Sequence, residues 1–183
     1  ASTAARAAKR TILEVNPNMP RVFGDSQIHI SEIHALVEND VPLAEAKARE
    51  PSDLEQQIGE MIAELVPDGA CLQMGIGALP NVVCGALKDR RDLGIHTELL
   101  SPGLVDLIEC GAVTNRRKTT FPGRSVFTFA LGNRKMYDLL HDNPSMNSHP
   151  VNIVNDPRHI AKNDQVYSIN ATLEIDLMGA CNS

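Results

Sequence analysis

The sequence predicts an α/β protein: a mostly parallel open sheet flanked by helices, within an incomplete two-domain architecture. Three observations predict it. Apolar strand-like runs alternate with segments of helical periodicity from Ser52 onwards. One of these runs, Cys71-Leu72-Gln73-Met74, passes directly into the glycine turn Gly75-Ile76-Gly77-Ala78-Leu79-Pro80 and then a helical pattern. The next, Ile95 to Leu100, carries a single acid, Glu98, near its far end. In open α/β sheets, ligands bind where the carboxyl ends of neighbouring strands part. The turn and the carboxylate therefore make a candidate site.

The elements follow in order. Thr11 to Val15 and Ile28 to Ile30 read as short strands, joined by the turn-rich Asn16-Pro17-Asn18-Met19-Pro20. The charged stretch 40–51, with Pro42 and Pro51, reads as a linker. It divides the chain into residues 1–50, the tail of an upstream α/β domain, and residues 51–183, a second domain. Ser52 and Glu55 have capping-box spacing at a helix start, and Leu54, Ile58, Met61, Ile62 and Leu65 recur as one apolar face. Pro67-Asp68-Gly69 stops that helix. After the glycine turn, Leu79, Val82, Val83, Ala86 and Leu87 are expected to face inward. A helix over 104–110 is closed by Gly111. Arg116-Arg117-Lys118 reads as a solvated loop, with a phosphate clamp as the alternative. A strand over 126–130, a helix over 134–141, a strand over 151–154, a brief helix over 157–161 and strands over 166–169 and 173–177 complete the pattern. Along the last strand, alternation puts Leu173, Ile175 and Leu177 on one face and Glu174 and Asp176 on the other. The sequence ends at Gly179-Ala180-Cys181-Asn182-Ser183 straight after that strand, which reads as a domain truncated at its end.

Composition narrows the function. Hydrophobic residues are 43% of the 183 and aromatics 3%, with no Trp, so the core must be aliphatic. That argues against stacking of nucleic-acid bases, and a net charge of -6 argues against a phosphate backbone as partner. A small anionic ligand stays open, because local fields outweigh the total. The four cysteines (Cys71, Cys84, Cys110 and Cys181) are widely spaced and expected to be reduced. The histidines show no metal-ligand spacing. No apolar run approaches a membrane span, and a cytoplasmic setting is expected.

Gly75-Ile76-Gly77 has two readings: a tight strand-to-helix turn, or a place where backbone amides meet an anion at a helix N-terminus. A dinucleotide fingerprint needs glycine where Pro80 stands, although Glu98 lies where such folds place a ribose-binding acid. A Rossmann-type site is therefore a minor alternative. Glu98 itself reads either as a surface carboxylate or as the reactive acid. Its rival Glu174 has the pattern of a half-exposed strand and is expected to be structural. His96, two residues before Glu98, is expected to be packed.

Five ordered segments resemble the acetyl-CoA hydrolase/transferase family of class I CoA-transferases, especially the 4-hydroxybutyrate and butyrate:acetate types. They are Val15-Asn16-Pro17-Asn18-Met19-Pro20, Gln73 to Pro80, His96-Thr97-Glu98-Leu99-Leu100-Ser101-Pro102-Gly103, Val154-Asn155-Asp156-Pro157 and Ile169 to Gly179. The resemblance implies two similar α/β domains with the active site between them. It implies Glu98 as catalytic nucleophile, Gly75, Ile76, Gly77, Ala78 and Leu79 as the loop that binds CoA and holds the oxyanion, and Leu173 lining the CoA site. Family members continue past the equivalent of Ser183 with a glycine-rich segment that also contacts CoA. The implied activity is CoA transfer between a short-chain acyl-CoA and a free carboxylate, with no metal and no permanently bound cofactor. Coenzyme A and acyl-CoA enter as substrates; the oligomeric state is left open, with a homodimer covering the open sheet edge as one arrangement. The alternatives are an acyl-CoA hydrolase and a non-catalytic CoA-binding or assembly domain.

Overall fold

The computed structural model of the protein describes residues 2–46 and 49–182. The first part contains α1 (Ser2–Ala7), β1 (Ile12–Val15), β2 (Phe23–Gly24) and β3 (Ala35–Glu38). From α2 (Asp53–Glu64) onwards strands and helices alternate: β4 (Cys71–Met74), α3 (Ala78–Ala86), β5 (Gly94–Ile95), β6 (Leu99–Leu100), α4 (Pro102–Glu109), β7 (Ser125–Phe127), β8 (Phe129–Ala130), α5 (Arg134–Leu140) and β9 (Met146–Ser148). The short helices α6 (Val151–Val154) and α7 (Pro157–Ile160) lead to β10 (Val166–Ile169) and the hairpin β11 (Glu174–Ile175) and β12 (Cys181–Asn182).

Among the described residues every named strand pair except that hairpin is parallel. Two parallel units, β10-β4-β5 and β2-β9-β7, are joined by a bridge between His96 and Val126. The pair β6–β8 extends the same two strands in the same register, Leu99 opposite Phe129. The core is aliphatic, as the composition requires: Leu72, Met74, Val83, Leu93, Ile95, Leu100, Leu104, Leu107 and Met146 are all fully buried. A parallel strand covered on both faces becomes a continuous apolar run, and β4 is one except for half-buried Gln73.

Several elements depart from the sequence reading. Residues 28–30 are not a strand. The His29 side chain accepts from the Ser31 amide and Glu32 returns to the His29 amide, which closes a single 3₁₀ turn instead. The partner of β1 lies later, in β3. Strand 95–100 is broken around Thr97 and Glu98, and strand 126–130 is broken at Thr128. Residues 151–154 form a single helical turn that starts after Pro150, whose ring fixes φ at -60° at the N-cap.

Helix α2 starts as expected, with Ser52 and Glu55 exchanging capping hydrogen bonds. Its buried face is rotated from the predicted one, however, and of the predicted stripe Ile62 is the residue that packs against the core. Gly59 and Ala63 face α3, while Leu54, Met61 and Leu65 are 65%, 68% and 72% exposed. A Cβ on Gly59 would lie 2.4 Å from Val82 Cγ1, so the close approach of the two helices selects the small-residue face. On α3, Val82, Val83 and Leu87 are buried as predicted, whereas Ala86 is exposed and Leu79 half-buried. The predicted strand 173–177 shrinks to β11, and Leu173, Ile175 and Leu177 are all exposed rather than turned onto a core.

The basic run is not simply solvated. Arg116 pairs with Asp92 at 3.0 Å, and Lys118 is buried. Its ammonium donates to the carbonyls of Ile95 at 2.8 Å and Arg124 at 2.7 Å, tying the end of β5 to the entry of β7. Burial pulls the Lys118 pKa down to about 8. The described cysteines are free, with Cys71 and Cys84 buried. No helix among the described residues is long and apolar enough to cross a membrane.

Candidate active site

The break after β5 delivers Glu98 outward. Thr97 Oγ1 donates to the carbonyls of Met74 (3.2 Å) or Leu99 (3.1 Å) and accepts from the Met74 amide at 3.2 Å. This locks the end of β4 to the bend, so the next side chain must leave the sheet at its carboxyl edge. The Glu98 carbonyl is held in turn by the amides of Thr128 (2.9 Å) and Phe129 (3.1 Å). Its carboxylate is exposed and accepts a 2.6 Å hydrogen bond from Asn155 Nδ2.

The glycine turn lies across the same opening. Glu98, Gly75 and Ile76 line one crevice of about 410 Å³ with Gln73, Leu99, Phe129 and Asn170. Glu98 also borders an adjoining 250 Å³ cleft with His96, Asn155 and Ser168. Gly75 is required by space: a Cβ there would lie 2.6 Å from Asn170 Oδ1 and 3.3 Å from Asn170 Cα. Gly77 is required by backbone, with φ of +127° at the N-cap of α3. The Gly75 amide donates to the Ile169 carbonyl at 2.8 Å. Among the described residues the Ile76 amide has no such partner and stands at the mouth of α3, where the helix dipole favours negative charge.

Of the predicted site residues, the fold brings Glu98, Gly75 and Ile76 together. Gly77 caps α3, and Ala78 and Leu79 occupy its first turn without lining the crevice. Leu173 is 82% exposed and lines neither cavity. His96 is packed as expected: its Nε2 donates to the Val154 carbonyl at 2.8 Å. Burial lowers its pKa from the ordinary histidine value. Glu174 sits on the exposed hairpin away from the crevice.

Sequence reasoning missed the polar floor. Gln73 and Asn170 exchange amide hydrogen bonds at 2.9 and 3.2 Å, and Ser168 bonds to both. Asn155, at the C-terminal end of α6, was equally unassigned. The available signal was Gln73, the one polar residue in an otherwise apolar strand.

Residues 132–183 match the acetyl-CoA hydrolase/transferase C-terminal domain. Over these residues the chain is similar to the acetyl-CoA hydrolase/transferase family, and along nearly its whole length it is similar to CoA transferases. It is 52% identical over 98% of its length to succinyl-CoA:cyclohexane-1-carboxylate CoA transferase of Geobacter metallireducens. Identity to 4-hydroxybutyrate coenzyme A transferase of Clostridium kluyveri is 47% over 96% of the chain. In each case the chain spans 41% of the relative's length. The crystal structure of RipA from Yersinia pestis superposes with a TM-score of 0.96 at 63% identity, over all of this chain and 42% of that one. The RipA structure shares the parallel sheet and flanking helices of this chain.

Proposed function

We propose that this chain supplies the nucleophile side of a CoA-transfer site. The observation that carries the reading is one crevice holding both an Asn155-positioned carboxylate and an unpartnered amide at a helix mouth. Glu98 attacks the thioester carbonyl of a short-chain acyl-CoA. The developing oxyanion takes the Ile76 amide, a donor fixed in place before reaction. The C–S bond breaks and CoA thiolate leaves, giving a mixed anhydride with Glu98. Thiolate then attacks the Glu98 carbonyl carbon, releasing the free carboxylate and leaving a glutamyl-CoA thioester. An acceptor carboxylate reverses these steps and departs as the new acyl-CoA. Ala78, Leu79 and Leu173 join the CoA-contacting set in this proposal when substrate closes the site.

The same reading keeps the division at residue 50, with β2 reaching across it to pair with β9. It sets the protein in the cytoplasm as a homodimer, in keeping with free buried cysteines and the exposed apolar stripe of α2. The exposure of Glu98 favours one second reading, hydrolysis, because water reaching the anhydride converts a transferase into a hydrolase.

The test is exchange of labelled butyrate into butyryl-CoA, read together with ping-pong kinetics for a second acceptor carboxylate. Exchange that disappears in Glu98→Gln supports the reading. Release of free CoA without exchange favours hydrolysis, and exchange that survives in Glu98→Gln overturns the nucleophile.

A further inference from the structure

Asn155 holds the Glu98 carboxylate, yet little around Asn155 holds it in turn. It is exposed, and it caps α6, a helix of four residues. A single turn has too few internal hydrogen bonds to be stable alone, and Val151 and Asn152 on that turn are exposed. The contacts that seat α6 come from its buried end. One is the Val154 side chain, 1% exposed. The other is the Val154 carbonyl, which as the last of its helix has no partner within it and accepts a 2.8 Å hydrogen bond from His96 Nε2. His96 is itself fixed from both sides: its amide donates to the Leu72 carbonyl at 3.0 Å, and its backbone bridges to Val126.

Glu98 lies two residues after His96, and Asn155 one residue after Val154. The buried His96–Val154 bond and the 2.6 Å Asn155–Glu98 bond therefore join the same two segments. We propose that His96 is a positioning residue for acyl transfer: it touches no substrate, and by fixing the end of α6 it sets the Asn155 amide against the Glu98 carboxylate. This role rests on the CoA-transfer reading and adds a residue to it. The outer bond is exposed, where water competes for both partners. The inner one is buried, and losing it strands a carbonyl away from water. The inner bond thus holds the geometry that the outer one uses. It requires the proton on Nε2, because a carbonyl only accepts, and it leaves Nδ1 bare where no donor meets it.

Two substitutions test this. His96→Gln places an amide nitrogen at about the reach of Nε2, whereas the shorter His96→Asn ends near the position of Nδ1. In His96→Asn, acylation of Glu98 by saturating butyryl-CoA is expected to slow about tenfold, the effect of losing Asn155 itself. The half-saturating concentration should not move. His96→Gln should recover most of the rate, and His96→Asn should slow Asn155→Ala no further, because both act through one contact. Equal losses in the two histidine variants, or a loss that adds to that of Asn155→Ala, would overturn the proposal. Nitrogen NMR supplies a readout that needs no turnover. The parent ring should be the Nε2–H tautomer, and the Asn155 side-chain amide should shift in His96→Asn but not in His96→Gln. An Nδ1–H tautomer, or an Asn155 amide unmoved in His96→Asn, would overturn the role of His96. The tautomer is read on the parent, so it decides the case even if replacing His96 unfolds the chain. These amide shifts without any acylation of Glu98 would remove the transfer reading alone, and acylation without them would remove only the role of His96.

Discussion

Gly59→Ala decides which face of α2 is buried, and with it how α3 and the glycine turn are seated. On an exposed helix face the substitution would stabilise the protein by about 1 kcal/mol through helix propensity. Here the added methyl lies 2.4 Å from Val82 Cγ1 and 3.1 Å from Val82 Cβ. Val82 is buried and β-branched, with little rotamer freedom inside a helix. Overpacking of this kind costs about 1–3 kcal/mol, which outweighs the propensity gain and leaves a net loss of about 1 kcal/mol. Met61→Ala is the companion variant. At 68% exposure it should change stability by less than about 0.5 kcal/mol, against about 2–5 kcal/mol for a buried methionine. Urea unfolding of the two variants and the parent, with equal m-values, gives both numbers. A gain in Gly59→Ala together with a loss above about 2 kcal/mol in Met61→Ala would show that the predicted apolar stripe is the buried face after all.

Asn155→Ala removes the 2.6 Å hydrogen bond to Glu98 on an exposed surface; acyl transfer to Glu98 should slow about tenfold with the unfolding midpoint unmoved, and an unchanged rate would remove Asn155 from the site. Lys118 has a folded pKa of about 8, below its ordinary value of 10.5, so the unfolded chain binds more protons between those limits and stability due to this group rises with pH across that window. Buried Cys71 and Cys84 act oppositely above pH 9, because burial raises their pKa values to about 11 and 12. The check is therefore the difference between parent and Lys118→Met in denaturant melts: the parent should gain relative to the variant from pH 8 to 10.5, and a constant difference would show that Lys118 is solvated. Ser52→Ala should cost about 1 kcal/mol by removing the cap of α2, read from the same melts.

The sequence made β4, the glycine turn, α3, α4, α5 and β10 legible, because each has a strong local period bounded by a stop signal. The carboxylate at the sheet edge was legible for the same reason. What escaped depended on neighbours. The orientation of α2 turned on Gly59 meeting Val82, a contact that hydrophobic periodicity cannot register. Residues 151–154 look like a strand by composition and fold as a single helical turn after Pro150. Lys118 looked solvated because its two carbonyl partners belong to separate segments, the end of β5 and the loop before β7. Asn155 is 57 residues from Glu98 in sequence, so only the folded sheet edge could pair them.

The most direct measurement is to load the protein with butyryl-CoA, quench with hydroxylamine and map the modified peptide. A hydroxamate on Glu98 is expected, absent in Glu98→Gln and reduced in Asn155→Ala. A label on Glu174, or a folded protein that binds butyryl-CoA yet leaves Glu98 unmodified, would contradict it.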